Sequence, residues 1–103
     1  MARHVLEKVA AVAPGYTQVF SGDGWSVLLA ATETEVRAIR NVCPHAGAPL
    51  TDARVAGSKL RCPRHGYLFS LDTGVCRRGE REGFGPLSFV PLYENDGHYE
   101  IEV

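Results

Sequence analysis

The sequence is short of the features that place a chain in a membrane or on a nucleic acid. No apolar run approaches the roughly 18 residues of a membrane-spanning helix. The longest clean one is Val27 to Ala31. Eleven Lys and Arg residues stand against twelve Asp and Glu, for a formal net charge of -1. That balance offers no basic excess to attract phosphate backbones or anionic lipid, and no acidic field to steer a basic partner. The first residues carry charges without an apolar core, so a secretory signal is not expected there. The default compartment is therefore the cytoplasm, with no membrane or nucleic-acid partner. Three cysteines make an odd count. A complete disulfide framework is excluded, and metal or catalytic use of the thiols is favoured. Internal repeats, low-complexity tracts and linkers are also missing.

What the sequence does have is glycine and proline spread between short apolar or alternating runs. Eleven glycines and six prolines punctuate the 103 residues. This pattern predicts an all-β fold in a single domain over 1–103. His4 to Val12 is a first run, with a possible helical turn at Val9 to Ala13 ended by Pro14-Gly15. Strands are expected at Tyr16 to Phe20, Trp25 to Ala31 and Glu35 to Val42. Ser21-Gly22-Asp23-Gly24 is a hairpin signal between the first two. Two further short strands, Lys59 to Cys62 and Tyr67 to Leu71, flank the tight loop Pro63-Arg64-His65-Gly66. Arg77 to Gly85, charged and glycine-rich, reads as an exposed loop; its mixed-sign run Arg77 to Glu82 reads as solvated, with a rim for partner docking as the alternative. Leu87 to Tyr93 and His98 to Val103 close the fold through the turn Asn95-Asp96-Gly97. His4 and His98 read as surface residues, Trp25 as a core anchor and Cys76 as a small, partly buried side chain.

The chemistry lies in two matched segments. Cys43-Pro44-His45 is a Cys-x-His, and Cys62-Pro63-Arg64-His65 is a Cys-x-x-His, with sixteen residues between His45 and Cys62. Each cysteine precedes a proline, and each segment reaches a glycine, Gly47 or Gly66. Thiolates suit iron–sulfur clusters and zinc, and imidazole suits iron and zinc alike. Glycine lets backbone N–H groups approach an inorganic core, and proline stiffens the loop. These residues alone leave three sites open: an iron–sulfur centre, a structural zinc ion, and a mixed Cys/His nucleophilic site. Zinc modules usually pair Cys with Cys and His with His, whereas each loop here is mixed.

Cys43-Pro44-His45-Ala46-Gly47-Ala48-Pro49-Leu50 and Cys62-Pro63-Arg64-His65-Gly66-Tyr67 resemble the two cluster boxes of Rieske iron–sulfur proteins. Asp72-Thr73-Gly74 follows the second box, and Gly85-Pro86-Leu87 resembles the proline loop that covers the cluster in that family. The resemblance implies antiparallel base sheets built from the chain ends and a small cluster-binding subdomain over about 42–71. It implies one [2Fe–2S] cluster per chain, with Cys43 and Cys62 on one iron and His45 and His65 on the other. Ala46, Gly47, Pro49, Arg64 and Pro86 should border the exposed histidine edge.

High-potential members carry an extra cysteine in each box, at positions that are Ala48 and Arg64 here. They also carry Ser and Tyr hydroxyls where this chain has Tyr67 and Phe69. With fewer hydrogen bonds to sulfur, the potential should fall at the low end of the roughly -150 to +300 mV Rieske range. The resemblance therefore implies a monomeric ferredoxin that passes single electrons from a flavin-dependent reductase to a terminal oxygenase. The small subunit of an NADH-dependent nitrite reductase is the alternative. A terminal oxygenase itself would need a second domain with a mononuclear iron site. No substrate site of its own is expected, and net charge near zero implies weak salt dependence of association.

Overall fold

The structure is a computed structural model and describes residues 2–64 and 66–103. Among these residues ten strands form three antiparallel sheets. The strands are β1 (Arg3–Lys8), β2 (Thr17–Gly22), β3 (Trp25–Ala31), β4 (Val36–Arg40), β5 (Arg54–Ala56), β6 (Lys59–Arg61), β7 (Leu68–Ser70), β8 (Phe89–Val90), β9 (Leu92–Asn95) and β10 (His98–Glu102). A six-residue helix, α1 (Arg77–Glu82), lies between β7 and β8.

The chain ends meet in one sheet, ordered β1-β10-β9. Asp96 and Gly97 both take positive φ in the two-residue β9–β10 turn. That is the conformation a tight hairpin requires, and it explains the Asn-Asp-Gly signal. The second sheet is ordered β2-β3-β4-β8 and the third β5-β6-β7.

β3 explains the longest apolar run. Side chains alternate across a strand. Val27 and Leu29 face a core shared with Ala38, Val90, Tyr99 and Ile101. Leu28 and Ala30 face a second core that contains Ile39, Cys43, Leu50, Leu60, Cys62, Phe69 and Leu71. β3 is thus covered on both faces, which is why it shows no polar alternation. It also joins the base to the part of the fold that carries the two Cys/His segments.

Two expectations need correction, and one strand was not expected. Arg77 to Gly85 is not an open loop. It folds into α1, ended by Gly83 in the left-handed conformation (φ 86°), and Gly79 is buried. The expected strand Leu87 to Tyr93 is two strands, because Pro91 interrupts it. β8 pairs with β4, and β9 pairs with β10 in a different sheet. β5 carries no strand signal in the sequence. Val9–Ala11 is a single 3₁₀ turn. Trp25 is half-buried against the base core, and His4 stacks on it at 4.7 Å between ring centroids.

Candidate metal centre

The two Cys/His segments fold into the same turn. In the first, the Cys43 N–H donates to the Ala48 carbonyl (2.7 Å) and the Gly47 N–H donates to the Cys43 carbonyl (2.8 Å). In the second, the Cys62 N–H donates to the Tyr67 carbonyl (2.8 Å) and the Gly66 N–H to the Cys62 carbonyl (3.1 Å). Gly47 and Gly66 have φ of +69° and +68°, a region costly for any residue with a Cβ. The turn therefore explains both glycines. It also places the two cysteine backbones equivalently.

Those cysteines meet. The sulfurs of Cys43 and Cys62 lie 3.0 Å apart. This is well beyond the about 2.05 Å of a disulfide, and both are free thiols. Both side chains are buried. Burial pushes the Cys43 thiol above its ordinary value, and the neighbouring Cys62 adds to the effect. The backbone N–H groups of His45 and Ala46 oppose it by bonding the sulfur. Metal loading must displace the protons, so it should release them to solvent.

His45 is half-buried and held by rings. Tyr67 packs at 4.5 Å between centroids, and Phe84 meets it edge-on at 5.1 Å. Tyr67 and Phe84 touch one another at 5.3 Å, and Phe69 stands 6.1 Å behind Phe84. The Tyr67 hydroxyl donates to Glu82 Oε1 of α1 (2.8 Å). Glu82 in turn pairs with Arg78 at 3.5 Å, and Arg78 lies over the Tyr67 ring at 4.6 Å. The bond to Glu82, aided by burial, pushes the phenol of Tyr67 upward, so it stays protonated. Phe69 is fully buried.

Asn41 pins the first segment from outside. Its Oδ1 accepts from the Leu50 N–H (2.7 Å) and its Nδ2 donates to Ser26 Oγ on β3 (3.2 Å). Cys76 packs in the same core as the two expected thiolate ligands. Ala46, Gly47, Pro49, Arg64 and Pro86 are all exposed. His65, the fourth expected ligand, lies outside the described residues.

The donor set fits a two-iron centre. Two buried thiols side by side can share one iron. Among the described residues no three His, Cys, Asp or Glu side chains converge on a point that could hold a single ion. A tetrahedral zinc site would bring His45 onto the same point as Cys43 and Cys62. An arrangement in which the imidazole serves a second metal has no such requirement.

Reading the sequence missed α1 and the bond from Tyr67 to Glu82. Two signals were present, the Arg78/Glu82 spacing of four and Gly83 just beyond, but Gly79 in mid-run argued against a helix.

The model of the Rieske [2Fe-2S] domain family matches residues 2–90. The chain belongs to that family, and one [2Fe–2S] cluster per chain is its cofactor. Among solved structures it is similar to the Sphingomonas yanoikuyae B1 ferredoxin, with 26% identity and a TM-score of 0.81 over 99% of each chain. A chain from a complex of reduced oxygenase and oxidised ferredoxin in carbazole 1,9a-dioxygenase shares the fold at 19% identity and a TM-score of 0.82. That match covers 96% of this chain and 100% of the other. A protein assigned as the NADH-dependent nitrite reductase small subunit of Mycobacterium tuberculosis does so at 21% identity and a TM-score of 0.79. It covers 97% of this chain and 93% of that one. The chain spans 9% of the length of the first curated relatives it matches, and they cover 50% of it.

Proposed function

We propose that the protein is a one-electron carrier, taking electrons from a flavin-dependent reductase and delivering them to a terminal oxygenase component in the cytoplasm. The observation that carries this reading is the pair of equivalent turns that sets two buried, unbonded thiols 3.0 Å apart. The likeness to a ferredoxin over essentially the whole of both chains supports it.

In this reading Cys43 and Cys62 bind one iron, and His45 and His65 bind the other. The bound cluster supplies a site that gains and loses a single electron. The chain's own residues do the rest. The N–H groups of His45 and Ala46 stabilise the Cys43 sulfur as thiolate. Tyr67 and Phe84 fix the His45 ring, which limits rearrangement on electron transfer. Ala46, Gly47 and Pro49 keep the rim low, so that a partner can come close. Tyr67 spends its hydroxyl on Glu82, and Phe69 has none, so neither donates to sulfur. This supports a potential at the low end of the family's range.

The test is a redox titration of the purified protein, followed by absorption and electron paramagnetic resonance. One electron per chain, with a signal that disappears in Cys43→Ser and in His65→Ala, is the expected result. A colourless protein with stoichiometric zinc would refute the carrier reading. Co-purification with a large sirohaem subunit would refute the oxygenase assignment.

A further inference from the structure

A net charge of -1 implies weak salt dependence only if the charge is evenly placed, and it is not. Residues 43–88, which carry both Cys/His turns and α1, hold seven basic side chains against four acidic ones. The rest of the chain holds four basic against eight acidic. The cluster end is thus formally +3 and the base -4. All seven basic side chains of the cluster end are exposed.

The excess is concentrated beside the second turn. Arg54 on β5 and Arg61 on β6 are direct register partners. Their side chains therefore leave the same face of the sheet. Like charges placed directly opposite destabilise a strand pair. Among the described residues neither arginine makes an ion pair, and nor does Arg64. The Arg61 guanidinium lies against the turn itself, 3.4 Å from where a Cβ on Gly66 would stand. Both arginines line an open depression of about 470 Å³ together with Asp52, Cys62, Pro63 and Gly66. Among the described residues Asp52 is the only acid there, and it makes no ion pair with either arginine. Two unneutralised forks beside the second turn suit carboxylates arriving from outside.

We infer that Arg54, Arg61 and Arg64 form a docking face for an acidic surface on a redox partner protein, which they guide to the cluster edge. The inference rests on the electron-carrier reading. It changes the salt expectation: association with an acidic partner should weaken steeply as salt rises.

The test uses the reduced holoprotein and two inorganic oxidants, ferricyanide and hexaammineruthenium(III). In each reaction one electron leaves the protein and enters the probe metal, and no bond forms or breaks. Between about 10 mM and 0.5 M salt, the ferricyanide rate should fall and the ruthenium rate should rise. At low salt the Arg54→Gln/Arg61→Gln double variant should slow ferricyanide by roughly tenfold. Lys8→Gln, exposed on the base, should leave that rate within about twofold. Poly-L-glutamate should bind the wild type at low salt and lose affinity to the same degree in the double variant.

Salt profiles of the same sign for both oxidants, with the cluster intact, would overturn the docking face and leave the carrier reading standing. A chain that takes up no cluster would overturn both. Inorganic phosphate binding as tightly as polyglutamate would mark a small-anion site instead. Salt-sensitive self-association by light scattering would mean that the acidic base of a second copy is the occupant. Either result overturns the proposed partner.

Discussion

Gly79→Ala tests how tightly α1 is packed on the rings around His45. On an exposed helix, alanine gains about 0.5–1 kcal/mol over glycine. Gly79 is buried, and a Cβ there would stand 2.6 Å from Phe84 Cε1, 2.9 Å from Cδ1 and 3.0 Å from Cζ. The ring must move. It is bounded by His45 at 5.1 Å, Tyr67 at 5.3 Å and the fully buried Phe69 at 6.1 Å. The helix cannot retreat alone, because the Gly79 carbonyl accepts the N–H groups of Gly83 (2.8 Å) and Phe84 (3.0 Å). Overpacking of this kind costs about 1–3 kcal/mol. It exceeds the propensity gain, leaving a net loss of about 1 kcal/mol. In a domain of this size that lowers the melting temperature by roughly 4–8 °C. The assay is thermal unfolding of the holoprotein at one scan rate, followed both by circular dichroism and by the visible band. Unfolding with cluster loss is irreversible, so only matched scans compare. Phe84→Leu in the same chain should recover part of the loss, because the two changes share one contact. A Gly79→Ala protein that melts at or above the wild type would refute the packing argument.

Three other outcomes follow from the same geometry. Phe69→Tyr should raise the reduction potential if its new hydroxyl reaches a cluster sulfur. An unchanged potential with a stability loss of about 1–3 kcal/mol, the cost of an unmet buried hydroxyl, would refute that. Asn41→Ala removes the acceptor of the buried Leu50 N–H and should cost about 1–3 kcal/mol, read as faster bleaching under a chelator; an unchanged bleaching rate would refute the pinning role. The phenol of Tyr16 is raised well above its ordinary 10.0 by burial, by its bond to Glu7 and by that carboxylate's charge. The folded protein therefore keeps this proton where the unfolded chain has lost it. Stability is full below pH 10 and is lost as pH rises toward the folded value. Tyr16→Phe should flatten the alkaline limb of a denaturation series, and an unaltered limb would contradict this.

What the sequence made legible divides along a physical line. Trp25 to Ala31 was readable because burial on both faces makes Val27 to Ala31 an unbroken apolar run just after a hairpin signal, and its bounds match β3. The β9–β10 turn was readable because few residues tolerate its backbone. α1 was not, because its place is set by contacts between Gly79 and Phe84 and between Glu82 and Tyr67, and no local propensity records those. β5 was hidden for a similar reason: Arg54-Val55-Ala56 is too short to show a period, and it is a strand because β6 supplies its partner.

The Cys/His segments show the same division at finer scale. Their residue types were legible, since metal chemistry admits few substitutes. Their common backbone was not, because the residues between cysteine and glycine differ, Pro-His-Ala in one and Pro-Arg-His in the other. The hydrogen bonds make the two turns equivalent, so Arg64 takes in the second the place that His45 takes in the first. The turn itself therefore does not decide which position carries the imidazole. It fixes the cysteine and the glycine, and of the three positions between them it leaves the two after the shared proline for different chemistry. The second turn uses its spare position for an exposed cation beside the cluster edge. That choice is what a sequence pattern of ligands alone passes over.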